Sequence, residues 1–332
     1  MLQGLADGLD YYQANFGPYQ FPYVRIIEFP DFAQFAQAFA GTIPYSEGIG
    51  FIADVSDPDK LDYPYYVTAH ELGHQWWAHQ VVGADMQGAT ALSETLAQYS
   101  ALMVMEHRYG RDAMRRFLMF ELDNYLKARG SERVEEVPLE RVEAGQGYIH
   151  YRKGSLVMYL LKDRMGEAAV NRALRRVLDQ HRFKGAPYPM STALVAALRA
   201  EATPGVQPLI TDLFERITLW DLKASDPKVT RRADGRFDVG LTVTGHKRYA
   251  DGKGVETEAP LTQDIDIGLF TAEPGRGAFG AKSVVLLERR PIRTGVQRLK
   301  FVVPVAPTWV GVDPYNMFID RNSDDNVVAV GR

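Results

Sequence analysis

The pentapeptide His70-Glu71-Leu72-Gly73-His74 holds two imidazoles and a carboxylate at a spacing that can do chemistry. Residues four apart on a helix share a face, so His70 and His74 project side by side. Two imidazole nitrogens so placed can reach one Zn2+ at about 2.0–2.1 Å. Glu71 stands about 100° round the helix from His70, beside the metal rather than on it. A carboxylate there can take a proton from a water that the metal activates. The plain alternative is a histidine pair buried on a core helix.

A catalytic zinc takes three protein ligands and keeps a fourth position open. Glu94, in Leu92-Ser93-Glu94-Thr95-Leu96, is the candidate third ligand, early in the next helical run, 91–107. Gly83, Asp85 and Gly88 in the connection let that run fold back on the first helix. Without a metal, Glu94 would be a solvated carboxylate at a favourable helix-dipole position.

Elements must hold these groups in place. Residues 65–80 are predicted as a helix, with Pro64 in its first turn and only Gly73 interrupting it. Ahead of it, 2–9 read as helical, and Val24 to Phe29 alternate as a strand. A second strand is expected at the end of 41–53, with Glu47 just before it. A polar loop at 54–63 (Asp57, Pro58, Asp59, Lys60) leads into the zinc helix. After the 91–107 helix, further helices are expected at 111–130, 148–165, 167–181, 191–201 and 206–217. Ser191 can cap the one it opens. The periodicity then changes. Phe237, Val239, Leu241 and Val243 alternate with polar residues, as do Ile265, Ile267 and Leu269, and Leu299, Phe301 and Val303. Asp234-Gly235 and Asp251-Gly252 are tight-turn signals. The fold class is therefore α+β: an α-rich part, 1–221, followed by an antiparallel β-sandwich, 222–332.

Composition narrows the function. The chain has 332 residues, 46% hydrophobic and 24% charged, with net charge −4. The absence of a basic run argues against a nucleic-acid partner. With no cysteine, thiolate metal sites, disulfides and a cysteine nucleophile are excluded. No apolar run approaches the roughly 20 residues needed to span a bilayer, and the first ten residues do not read as a signal peptide.

His70-Glu71-Leu72-Gly73-His74-Gln75-Trp76-Trp77, with Glu94 downstream, resembles the aminopeptidase N family of gluzincins, whose catalytic domain is thermolysin-like. Tyr151-Arg152-Lys153-Gly154 is similar to that family's Tyr-x-Lys-Gly segment. Ile43-Pro44-Tyr45-Ser46-Glu47 sits where the family carries Gly-x-Met-Glu-Asn. Nineteen residues separate His74 from Glu94, where the family usually has eighteen. Ser93-Glu94-Thr95 replaces Asn-Glu-Gly, and Gly48 stands where the asparagine would be.

The resemblance covers about 10–220, so the family's large N-terminal β-domain is not expected in this chain. It implies one Zn2+ held by His70, His74 and Glu94, with Glu71 as general base, Tyr151 stabilising the oxyanion, and Glu47 anchoring a peptide's free amine. The implied function is removal of N-terminal residues from peptides. Among members of the family, the chain resembles the bacterial permease-fused ones. That implies a soluble portion tethered to a membrane permease in a longer protein. Two rival readings stay open: a gluzincin endopeptidase, and a non-catalytic, zinc-stabilised peptide-binding or assembly domain of a membrane transporter. His79 and His150, Trp76 and Trp77, and the turn at Asp320, Asn322 and Asp324 are expected to be structural.

Overall fold

The computed structural model describes residues 1–57, 60–277 and 279–331. Pro58 and Asp59 of the expected polar loop lie outside the described residues. The chain forms two compact units, 1–108 with 137–216, and 109–136 with 217–332.

The first unit is mostly helical. It begins with α1 (Leu2–Phe16), β1 (Arg25–Phe29), β2 (Thr42–Ser46) and α2 (Tyr63–Gly73). Asp62 caps α2, its carboxylate accepting from the Tyr65 backbone N–H at 3.1 Å, and Pro64 occupies the first turn where no N–H is needed. The α-helix ends at Gly73, well short of the expected 80. His74 is the cap residue but keeps helical backbone angles. Beyond it the chain turns inward. Trp76 and Trp77 are fully buried, their indole N–H groups donating to the Gly17 carbonyl and the Ser100 hydroxyl. Both tryptophans are core, as expected.

β1 and β2 form a parallel pair in which Ile27 faces Pro44. The strand expected at the end of 41–53 is thus displaced toward its start, and Glu47 follows β2 instead of preceding a strand. Residues 47–50 turn, through the glycines at 48 and 50. The next run opens with a π-helical turn, Ala91–Thr95, and continues as α3 (Leu96–Tyr109).

α4 (Arg111–Ser131) belongs to the second unit. Arg115 donates to the Pro314 carbonyl at 2.7 Å, the Tyr315 hydroxyl donates to Asp112 at 2.8 Å, and Arg129 pairs with Glu256. The expected division at 221/222 placed this helix with the catalytic part. Its apolar stripe fixes a helix but not the partner it packs on.

The first unit resumes with a second π-helical turn, Tyr148–Lys153, then α5 (Gly154–Met165), α6 (Glu167–His181), α7 (Ser191–Glu201) and α8 (Gln207–Ile210), which ends in a π-turn through Glu215. α6 buries Ala169, Val170, Ala173, Leu174, Val177 and Leu178, a helical stripe on one face. No described helix is long and apolar enough to cross a membrane.

Besides α4, the second unit is antiparallel sheet: β3 (Ile217–Arg231), β4 (Phe237–Ala250), β5 (Glu256–Ala259), β6 (Asp264–Phe270), β7 (Val284–Pro291), β8 (Gly295–Val303), β9 (Trp309–Val312) and β10 (Val327–Ala329). β3 opens at Ile217, where the last helix of the α-rich part was expected to end. One four-stranded sheet runs β10-β9-β6-β7. In the other, β4 pairs with β3 along one edge, and with β8 and then β5 along the other. Val239, Leu241 and Val243 are buried in alternation, as the sequence pattern requires.

Candidate active site

His70 and His74 lie one turn apart on α2 and its cap, 7% and 6% exposed. Their Nε2 atoms are 3.1 Å apart. Glu94 Oε2 reaches in from the π-turn before α3, 3.4 Å from His70 Nε2 and 3.1 Å from His74 Nε2. Among the described residues this is the one cluster of three or more His, Asp or Glu side chains close enough to share a metal ion.

The donor set fits a divalent cation. His74 Nδ1 lies 3.0 Å from the Trp77 carbonyl. That contact requires the proton on Nδ1, so the Nε2 lone pair points inward. Glu94 Oε2 is buried and receives no hydrogen bond from the described residues. Acceptor atoms therefore converge on one point and call for positive charge there. The pKa directions say the same. Burial opposes a charge on His74, yet the neighbouring Glu94 lifts its pKa to about 9. Burial would raise Glu94, but the two rings hold its carboxyl far below the usual carboxylate range. Ligands at the zinc distances of about 2.0–2.1 Å, arranged tetrahedrally, stand about 3.3–3.4 Å from one another. The observed edges are within 0.3 Å of that.

The backbone arrangement behind this triangle is specific. Glu94 and Tyr151 each lie in a single π-helical turn at the start of a longer helix. Such turns widen the helix by one residue and re-aim the side chains they carry. The two turns are tied together: Thr95 Oγ1 donates to the His150 carbonyl at 2.7 Å. The Tyr151 ring centroid lies 5.9 Å from that of His70. Burial, and then the charge of Glu94, hold its phenol well above the ordinary tyrosine pKa, so it stays a hydrogen-bond donor.

A cleft of about 270 Å3 opens on this group. His70, Glu71 and Tyr151 are among its walls, so the candidate base and oxyanion donor face the same space as one of the candidate metal-ligating rings. Glu71 is buried, 6% exposed. The structure does not bring Glu47 in. It is half-buried after β2, while Ile49, two residues on, is a wall. His79 stands outside the cluster. His150 is buried with its ring edge-on to Tyr151, centroids 4.4 Å apart, and burial lowers its pKa to about 4.

The family model for the Peptidase family M1 domain matches residues 2–211. The chain belongs to Peptidase family M1. The M1 chain is 22% identical over 265 residues to Tricorn protease-interacting factor F2 of Thermoplasma volcanium, a match spanning 77% of this chain and 32% of that protein. It is 25% identical over 260 residues to endoplasmic reticulum aminopeptidase 2 of Homo sapiens, spanning 70% of this chain and 27% of that one. The crystal structure of Legionella pneumophila aminopeptidase A in complex with aspartic acid shares the fold, with a TM-score of 0.56 at 13% identity, covering 95% of this chain and 34% of that chain. The M1 chain thus spans about a third or less of the length of these relatives.

Several cleft walls escaped the sequence reading: Tyr63, Tyr66 and Val67 of α2, and Gln98 of α3. A signal was available. Tyr63, Tyr66, Val67 and His70 recur at three and four residues, so they share the face that bears the candidate metal ligand His70. Gln98 repeats Glu94 one turn on.

Proposed function

We propose that this chain carries the catalytic portion of a zinc-dependent peptidase that removes N-terminal residues from peptides. The observation that carries the reading is the convergence of His70, His74 and Glu94 beside a cleft whose walls include His70, Glu71 and Tyr151. In this reading one Zn2+ per chain is held by the three ring groups. When bound, zinc acidifies a water and polarises the scissile carbonyl. Glu71 takes the proton from the attacking water and later delivers it to the leaving amine. Tyr151, kept protonated, donates to the oxyanion of the tetrahedral intermediate. The low exposure of the site keeps these contacts strong by excluding water.

End-specificity is supported by the relatives, several of which are named aminopeptidases. Glu47 remains the proposed amine anchor on the family resemblance. Its position off the cleft walls favours a second reading, a gluzincin endopeptidase. We further propose that the two antiparallel sheets constitute the expected β-sandwich, following a gluzincin domain within 1–221. The tether to a membrane permease rests on the resemblance alone.

The test is hydrolysis of a peptide library by the full chain, with metal content measured in parallel. N-terminal trimming that a chelator stops, and that Glu71→Gln loses while keeping its zinc, is the expected result. Internal cleavage would replace the exopeptidase reading with the second one. Zinc-loaded protein that cleaves nothing would favour a binding or assembly domain.

A further inference from the structure

α2 and α3 meet across the cleft in two rungs. The first joins His70 to Glu94. The second is one turn earlier on α2 and one turn later on α3, where the Tyr66 hydroxyl donates to Gln98 Oε1. One turn is about 5.4 Å, so the second rung stands about that far from the metal-binding ring. Both of its members are cleft walls. Gln98 is only 3% exposed, yet its side-chain nitrogen donates no hydrogen bond to the described residues. The oxygen end of the amide meets Tyr66, and the N–H end is left for the cleft.

We propose that Gln98 is a specificity residue whose amide N–H donates to an acceptor oxygen on the side chain of a residue flanking the scissile bond. The inference rests on the peptidase reading above. The favoured substrates are peptides with a side-chain carbonyl or carboxylate (Gln, Glu, Asn or Asp) next to the cleaved bond. The reach is right, because a Gln or Glu side chain extends roughly 4–5 Å from its Cα. Tyr63, Tyr66 and Val67 provide an apolar wall for the aliphatic stem, and leave Gln98 as the polar group at its end. Arg152, also a wall, adds a positive charge that works in the same direction for the acidic members. Aromatic and aliphatic walls with one fixed polar group are how small-ligand sites set orientation.

The test uses the full zinc-loaded chain and competing peptides X-Ala-Ala-Ala and Ala-X-Ala-Ala, with X Gln, Lys or norleucine, the last having a similar length and no acceptor. At one of the two positions Gln is expected to be preferred, and Gln98→Leu is expected to lower the Gln-to-norleucine ratio of kcat/KM about five- to tenfold, the worth of one hydrogen bond. Gln98→Glu, which offers an acceptor instead, is expected to shift preference from Gln toward Lys. A ratio unmoved by Gln98→Leu at both positions overturns the proposal. Calorimetric binding of the same peptides to Glu71→Gln protein reads the ratio without turnover. A ratio that responds to Gln98 there, with no hydrolysis by the parent chain, would retain this inference and sink the peptidase reading. Hydrolysis with an unresponsive ratio would do the reverse. Failure of both peptides to bind, or binding of the norleucine peptide as tight as that of the Gln peptide at both positions, would overturn the inference as well.

Discussion

Gly73 faces Ala97 so closely that a Cβ on Gly73 would stand 3.2 Å from the Ala97 Cα. The glycine between the two histidines is therefore a packing requirement of the ring, because it sets how near α3 comes to α2 and hence where Glu94 arrives. Two effects compete in Gly73→Ala. Helix propensity gains about 1 kcal/mol, and the contact requires the neighbouring backbone to give by a few tenths of an ångström. We expect a melting temperature close to the parent's. Gly73→Val has no such offset, since a branched side chain must push the helices apart at a cost of about 1–3 kcal/mol. Its expected signature is a lower melting temperature with zinc content well below one per chain. A Gly73→Val protein that binds zinc like the parent would show that the close approach does not govern the site.

Gly154 plays the matching role between the two π-turns. A Cβ there would lie 2.5 Å from Thr95 Oγ1. Thr95 follows Glu94 directly, and Gly154 comes three residues after Tyr151, so a wedge at this point displaces the acid and the phenol together. Gly154→Ala is expected to lower both zinc affinity and kcat, each by tenfold or more, about 1.4 kcal/mol apiece. Thr95→Gly in the same chain removes the colliding atoms and should recover part of both. The Thr95→Gly single variant will show the cost of the lost 2.7 Å hydrogen bond to His150. Metal titration and steady-state rates on the three variants decide the matter. Failure of the double variant to regain anything would point to a different cause.

The residues that could hold metal were legible because their chemistry is carried by identity and short spacing. His70, His74 and Glu94 converge as read. The alternation along β4, β6 and β8 likewise announced antiparallel sheet. What escaped was whatever depends on partners distant in sequence. The stripe on α4 says helix but not that Pro314 and Tyr315 cover it. The end of α2 at Gly73 follows from burial of Trp76 and Trp77 against residues from α1 and α3, not from local propensity. The shift of β2 ahead of Glu47 follows from pairing with β1, a long-range contact. The π-turns at Glu94 and Tyr151 have no sequence signature of their own. They depend on how Thr95 and Gly154 pack.

Tyr151→Phe removes one hydroxyl and leaves the ring against His150 and His70. A donor that acts on developing charge should affect the chemical step and not ground-state binding. We expect kcat to fall about 10²–10³-fold with KM little changed, the range seen when a single oxyanion donor is removed. Zinc content and melting temperature should stay at the parent values. A rise in KM at constant kcat would instead make Tyr151 a substrate-binding wall.

The second unit should carry its own pH dependence. Burial raises the Asp320 carboxyl to about 7, although the Leu222 and Asn322 backbone N–H groups donate to it. Burial raises Asp313 as well. An unfolded aspartate loses its proton near 3.9, so between roughly pH 4 and 7 the folded form binds the extra proton. Stability from this group is fully present below about pH 4 and is lost as pH rises through about 7. Over that window it amounts to a few kcal/mol, at about 1.36 kcal/mol for each pH unit crossed. Asp320→Asn keeps a neutral side chain at every pH. Its unfolding free energy, measured by denaturant titration at pH 4.5, 6 and 8, should therefore lose less with rising pH than that of the parent chain. Parallel curves would mean that Asp320 is ionised in the folded protein throughout, with its backbone donors outweighing burial.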